Sequence, residues 1–238
     1  MDQDGLADEY RIYELLLYVV EYWKLWFLFG GLMQSKNHWD KIYRKKAPTE
    51  VSWFQEHAKL SLVLIKNAQI SREAAIIDVG GGASTLVDDL LANGYRNITV
   101  LDISGAALAA AKARLGHLAA NVHWREANIL DAALPDHAYD VWHDRAVFHF
   151  LITPEERHAY VHAVLRAVKP GGLVIVATFA EDGPAKCSGL PVMRYSADEI
   201  HSEFGEPFTL LGHEKESHKT PTGNVQQFVY CLCRKVAS

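Results

Sequence analysis

IIDVGGGAST, residues 76–85, is the stretch on which the fold turns. Ile76, Ile77 and Val79 form the short apolar, β-branched run of a buried strand, interrupted only by the carboxylate of Asp78. Directly after it come Gly80, Gly81 and Gly82. Three residues without Cβ atoms let the backbone turn sharply and let a ligand lie directly on main-chain amides. The carboxyl end of a strand is also where open α/β sheets bind their ligands.

Outward from this point the chain alternates between two periodicities. Strand-like runs occupy Ala75 to Val79, Ile98 to Leu101, Val122 to Trp124, Tyr139 to Trp142 and Leu173 to Phe179. Helical stretches lie between them at Ser84 to Asn93, Gly105 to Leu118 and Pro154 to Val168, a βαβα layout with a parallel sheet. After a short helix at Ala197 to Phe204, runs near Phe208 to Glu214 and Gln226 to Arg234 are joined by the loop KTPTGNV. So short a connection permits a hairpin and forbids a crossover, so these two strands run antiparallel.

Composition narrows the function classes. The 238 residues are 49% apolar and 22% charged with a net charge of −5, an ordinary folded chain with one core and no block of Lys and Arg. Dedicated nucleic-acid binding is therefore not expected. The cysteines, Cys187, Cys231 and Cys233, are odd in number and lack a disulfide framework, which points to a reducing, cytoplasmic location. No metal site is expected: His158 and His162 have the i, i+4 spacing, but Ala159 stands where a zinc protease carries its Glu.

The ligand can be read from the loop and its two acids. Asp102 ends the next strand, ITVLD, in position to take the hydroxyls of a ribose. A dinucleotide fingerprint would need a third glycine where Thr85 stands, and no GK[ST] of a P-loop follows. Asp78 suits an ammonium rather than a phosphate. A ligand with an amino-acid end and a ribose, S-adenosylmethionine, fits best.

Taken in order, IIDVGGGAST, VLDIS, REANIL, YDVWHDRAVFHFL and LRAVKPGGLVIVATF resemble the successive motifs of class I S-adenosylmethionine-dependent methyltransferases over about residues 38 to 235. The resemblance implies an α/β, Rossmann-like seven-stranded sheet of order 3-2-1-4-5-7-6, strand 7 antiparallel, with helices on both faces. It further implies that Asp78, Gly80, Gly81 and Gly82 hold the methionine part, and Asp102 the ribose. Ile103, Asn128 and Ile129 would border the adenine. Asp144 and Arg145 would sit at the tip of the fourth strand. Ser104 rather than Asp102 is expected to cap the following helix.

Methyl transfer needs no protein nucleophile, so specificity rests with the wall beyond the methyl group. Two stretches could build it. HWDKIYRKKAPTEVSWFQ, residues 38–55, resembles the W-D-x-x-Y…W arm upstream of many bacterial methyltransferases and, more loosely, of elongation-factor and citrate-synthase lysine methyltransferases. Tyr43 and Trp53 of this arm are expected to cover the cofactor; packing of the tryptophans on the core is the competing reading. In WHDRAVFHFL, Asp144 resembles the acid of a D-[KR]-G-[TS] segment in those lysine methyltransferases and in thiopurine methyltransferases, with Ala146 departing from its Gly. Asp144 and, second, His149 are the catalytic candidates. Arg194, Tyr195 and His218 fall in later loops where an acceptor could bind.

The acceptor stays open between a protein side-chain amine and a small metabolite. The rival functions are a non-catalytic binding protein of the same fold and a nicotinamide oxidoreductase. By domain, residues 1–35 form an N-terminal apolar, amphipathic helix and residues 36–238 the methyltransferase domain, with 36–73 as arm and 74–238 as core. The helix suits a membrane surface or a second subunit better than a span, because Glu21 and Lys24 would sit at mid-bilayer, and Met33 offers an alternative start.

Overall fold

The computed structural model describes residues 36–237. The N-terminal helix and the Met33 start lie outside the described residues. Residues 36–45 form helix α1, and a 3-10 turn at Pro48–Glu50 leads to α2 (Lys59–Asn67). Then follow β1 (Ala75–Val79), α3 (Leu86–Ala92), β2 (Asn97–Asp102), α4 (Gly105–Leu115), β3 (Val122–Glu126) and β4 (Tyr139–Arg145). The second half runs through α5 (Pro154–Ala167), β5 (Val168–Phe179), a minor two-residue pair β6 (Lys186–Cys187) and β7 (Leu190–Pro191), α6 (Ala197–Phe204), β8 (Phe208–Lys219) and β9 (Val225–Lys235).

The main sheet has the order β3-β2-β1-β4-β5-β9-β8. β1 to β4 and β5 pair in parallel, while β9 runs antiparallel to both β5 and β8. With β8 and β9 counted sixth and seventh, this is the order 3-2-1-4-5-7-6 expected from the sequence. Because side chains alternate along a strand, Ile77 and Trp142 join one apolar layer and Ile76 and Val141 the other. Tyr160 and Val164 of α5 and Ile200 and Phe204 of α6 complete the first layer. Ile65 of α2, Leu90 of α3 and Leu108 of α4 complete the second.

Local chemistry sets the helix starts. Ser104 accepts from the Ala107 amide and caps α4, as expected. Thr153 and Ser196 form capping boxes with Glu156 and Glu199 ahead of α5 and α6. The main departure is the terminal hairpin, whose strands extend to Lys219 and back from Val225, so only residues 220–224 turn. His218, expected in a loop, therefore lies within β8 and is buried. Polar residues from Glu214 to Lys219 look like a loop in sequence because this end of the edge strand is wetted on one face. Tyr195, placed with the loops, is also buried, in a bridge to Ala180 beside the end of β5.

Candidate active site

The tips of β1, β2 and β4 converge under α1 and the segment that follows it. Gly80 and Gly82 have φ of 66° and 38°, left-handed values that admit glycine without strain. Gly81 is needed for a different reason: a Cβ there would lie 2.5 Å from Oδ2 of Asp78. A Cβ on Gly82 would lie 2.6 Å from Oδ2 of Asp102. The glycines thus bring main chain against both carboxylates.

Asp78 is 2% exposed. Its Oδ1 lies 2.7 Å from Nδ1 of His143, whose Nε2 lies 2.8 Å from Oγ of Ser61 on α2. Oδ2 is buried without a hydrogen-bond partner among the described residues. A buried carboxylate oxygen left unpaired costs about 1–3 kcal/mol or more, so its retention calls for a donor that completes it. Asp78, Gly80, Gly81, Ser84, His143 and Arg145 line one cleft, with Tyr43, Trp53, Phe54 and Gln55 on its opposite wall.

Asp102 sits at the adjacent tip and is 8% exposed. Its Oδ1 accepts from the Ser104 amide at 2.7 Å. Burial pushes its pKa up to about 7 against that hydrogen bond, and the charges of Asp78, Asp40 and Glu126 add to the rise. The arm explains the burial. Asp40 of α1 accepts from Ser104 Oγ at 2.7 Å and from the Ala106 amide at 3.2 Å, which ties α1 to the start of α4. Trp39 meets Trp53 and Phe150 edge-on, and Trp53 donates to the Tyr43 hydroxyl at 3.1 Å. Thr85, which stands where a dinucleotide site has glycine, donates to the carbonyl of Gln55 and pins the arm to the glycine turn.

Residues 76–172 match the family model described as methyltransferase domain. Among curated proteins the chain is similar to the zebrafish (Danio rerio) EEF1A lysine methyltransferase 2, 27% identical over 156 residues that cover 60% of this chain and 67% of the relative. Among solved structures it is similar to one described under conversion of a disulfide bond into a thioacetal group during echinomycin biosynthesis. That match has a TM-score of 0.68 and 20% identity, over 85% of this chain and 92% of the other. It is similar too to the Burkholderia thailandensis 1,6-didemethyltoxoflavin-N1-methyltransferase, with TM-score 0.60, 17% identity and 90% coverage of each chain. Over residues 76–172 the chain is similar to a methyltransferase domain, and its seven-stranded sheet is the Rossmann-like fold of such structures.

The residues picked from sequence separate into three groups. Asp78, Gly80, Gly81, Tyr43 and Trp53 meet in the cleft, with Gly82 and Asp102 beside it. Ile103 is half-buried just beyond β2; Asn128 accepts from the Leu130 amide at 3.2 Å, and Ile129 is buried in the core. Neither Asn128 nor Ile129 lines the cleft.

Asp144 and His149 form the third group, and neither is among the residues lining the cleft. Asp144 is fully buried and accepts from the amides of Val147 and Phe148 at 2.9 and 3.1 Å and from the Tyr160 hydroxyl at 2.5 Å. Its carboxylate holds the turn after β4. His149 is fully buried between Phe150 and Phe179 and accepts from the Phe179 amide at 3.4 Å. Burial, then the charge of Arg145, pushes its pKa down to about 3, too weak a base for proton transfer near neutrality.

The residues that sequence reasoning missed in the methyltransferase domain are His143 and Ser61. His143 could have been found: in the order 3-2-1-4, β4 neighbours β1, and His143 stands opposite Asp78 in register. Ser61, on a helix ahead of the core, carries no such signal. Arg145 contributes the cleft's positive charge, paired with Glu216 at 2.9 Å and stacked 4.0 Å over Phe228.

Proposed function

We propose that this protein is an S-adenosylmethionine-dependent methyltransferase that moves a methyl group by in-line displacement to a nitrogen acceptor. The observation that carries the reading is the unpartnered buried Oδ2 of Asp78, set against three glycines at the mouth of a cleft. An ammonium is the donor that oxygen requires, and the His143–Ser61 chain keeps the other oxygen engaged so that Oδ2 stays free for it. Asp102 offers Oδ2 to ribose hydroxyls, and the glycine turn supplies amide backbone without side-chain obstruction. S-adenosylmethionine brings a methyl group already activated on a sulfonium, so the chain needs no nucleophile and no metal for this step. Its residues hold, orient and exclude water.

The nitrogen acceptor is supported by the curated relatives, named as lysine methyltransferases, and by the N1-methyltransferase among the structures. A nicotinamide oxidoreductase has less support, because Thr85 fills the third glycine position and is engaged with the arm. Cys187, Cys231 and Cys233 are buried free thiols, in keeping with a cytoplasmic setting, and no helix among the described residues is long and apolar enough to cross a membrane. Calorimetry with S-adenosylmethionine, S-adenosylhomocysteine and NAD tests the reading. Binding of the first two in the micromolar range is expected, and preference for NAD would overturn it.

A further inference from the structure

The terminal hairpin and the arm meet at His218. Its Nε2 lies 2.7 Å from the carbonyl oxygen of Ser52. A carbonyl can only accept, so Nε2 carries the hydrogen and Nδ1 holds an unshared pair. Nδ1 has no hydrogen-bond partner among the described residues. The ring is held edge-on to Phe228 at 6.1 Å, and the Arg145 guanidinium lies 4.0 Å from the centroid of the same Phe228 ring. His218 therefore has a fixed tautomer and a fixed orientation.

The imidazole forms one side of an open recess of about 300 Å³, shared with Phe54, Gln55, Glu56, Lys219 and Pro221. Phe54 and Gln55 also line the cleft of Asp78 and the glycines. The recess thus adjoins the cleft, the two sharing Phe54 and Gln55 as lining. A purely structural tie between hairpin and arm would use only the Nε2 hydrogen. It leaves Nδ1 without a partner among the described residues beside this recess.

We propose that this recess receives the methyl acceptor, that Nδ1 of His218 accepts its N–H, and that the acceptor is a small planar nitrogen heterocycle, uncharged near neutrality. The proposal rests on the methyltransferase reading above and deepens it. Four charged groups surround His218: Arg145 from β4, Glu216 and Lys219 on its own strand, and Glu56 from the arm. Burial first and Arg145 second hold its pKa below the usual histidine value, so it is neutral at pH 7. An alkylammonium, at about 10.4, lies some four pH units above even an ordinary imidazole, so His218 cannot deprotonate it. An azole matches instead. Its ring nitrogen attacks uncharged, and the cation formed holds an N–H about as acidic as an imidazolium, near 6.5. In the balanced step the ring nitrogen's lone pair makes the C–N bond, the C–S pair returns to sulfur, and the N–H proton passes to Nδ1. Phe54 offers such a ring a flat apolar face.

The test uses the full chain with benzimidazole and Nα-acetyl-lysine amide as probes. His218→Gln keeps an N–H that can reach the Ser52 carbonyl but has no lone pair at the Nδ1 position; His218→Ala removes both. Nitrogen-15 NMR of the free protein should find the Nε2–H tautomer at neutral pH. Tritiated-methyl transfer should reach benzimidazole and not acetyl-lysine amide. H218Q should lower kcat about 100-fold, abolish the acidic limb of the pH profile, and leave calorimetric affinity for S-adenosylmethionine unchanged. The Nδ1–H tautomer, transfer to acetyl-lysine amide alone or to neither probe, or full activity in H218Q would each overturn the proposal. Failure of the wild-type chain to bind S-adenosylmethionine would instead overturn the reading beneath it.

Discussion

Replacing Asp102 with Asn separates what this carboxylate costs the fold from what it gives the site. Burial raises its pKa from an ordinary 3.8 to about 7. A folded-state value above the unfolded one means that the folded protein holds the proton more tightly. Stability is then greatest below pH 4, falls as pH rises, and levels off above pH 7. At 1.36 kcal/mol per pH unit, the ionised carboxylate costs the folded state about 4 kcal/mol at pH 8. Asparagine cannot ionise, and its carbonyl oxygen can still accept from the Ser104 amide. Urea unfolding followed by circular dichroism should therefore find D102N close to wild type at pH 4.5 and more stable by up to about 4 kcal/mol at pH 8. Calorimetry should find the reverse for function. An amide forms weaker hydrogen bonds to ribose hydroxyls than a carboxylate does, and the loss of about 1.5–3 kcal/mol weakens cofactor binding roughly 10- to 100-fold. A difference between the two proteins that does not change with pH would refute the reasoning, because it would mean that the carboxyl group titrates alike in the folded and unfolded chains and that burial does not raise its pKa.

Three further outcomes are expected. Gly81→Ala should lose cofactor binding on calorimetry, because its Cβ would press on Oδ2 of Asp78; wild-type affinity would show that the ammonium is held elsewhere. Asp144→Ala should lower unfolding free energy by about 3 kcal/mol or more, since two buried amides and the Tyr160 hydroxyl lose their acceptor; a stable, correctly folded but inactive variant would show a chemical role instead of a structural one. Asp40→Ala should cost about 1 kcal/mol through the lost tie to α4 and shift tryptophan emission to the red as Trp39 and Trp53 loosen; an unchanged spectrum would mean that the aromatic contacts alone fix the arm.

What could be read from sequence follows the range over which each signal acts. Whereas the order of the sheet came from the motif resemblance, the alternation of strand and helix and the antiparallel pairing of the last two strands were legible from local periods and from a connection too short to cross over. The glycine turn with Asp78 was legible for the same reason: the strand, the acid and the turn lie within seven residues. Side-chain direction at the tip of β4 was not. Asp144 and His143 are adjacent, so one must face each side of the sheet, and the motif resemblance drew attention to Asp144. The register decides otherwise for the cleft: His143 points to Asp78 and Ser61, while Asp144 turns toward Tyr160 and the amides of its own turn.

His218 illustrates the opposite case, a residue whose environment no local pattern encodes. Its partner Ser52 lies 166 positions away, so nothing near His218 announces that one ring nitrogen is engaged and the other free. The polar segment that begins at His218 reads as a loop, and a histidine in a loop is solvated and conformationally loose. Placed in β8 and covered by the arm, the same side chain has one tautomer and one orientation. That change matters for chemistry, because a base contributes to a transition state only if its lone pair is already aimed. The arm therefore has two physical consequences at once. Through Asp40 it helps bury Asp102, and through Ser52 it orients His218, so loosening the arm should disturb cofactor affinity and acceptor turnover together.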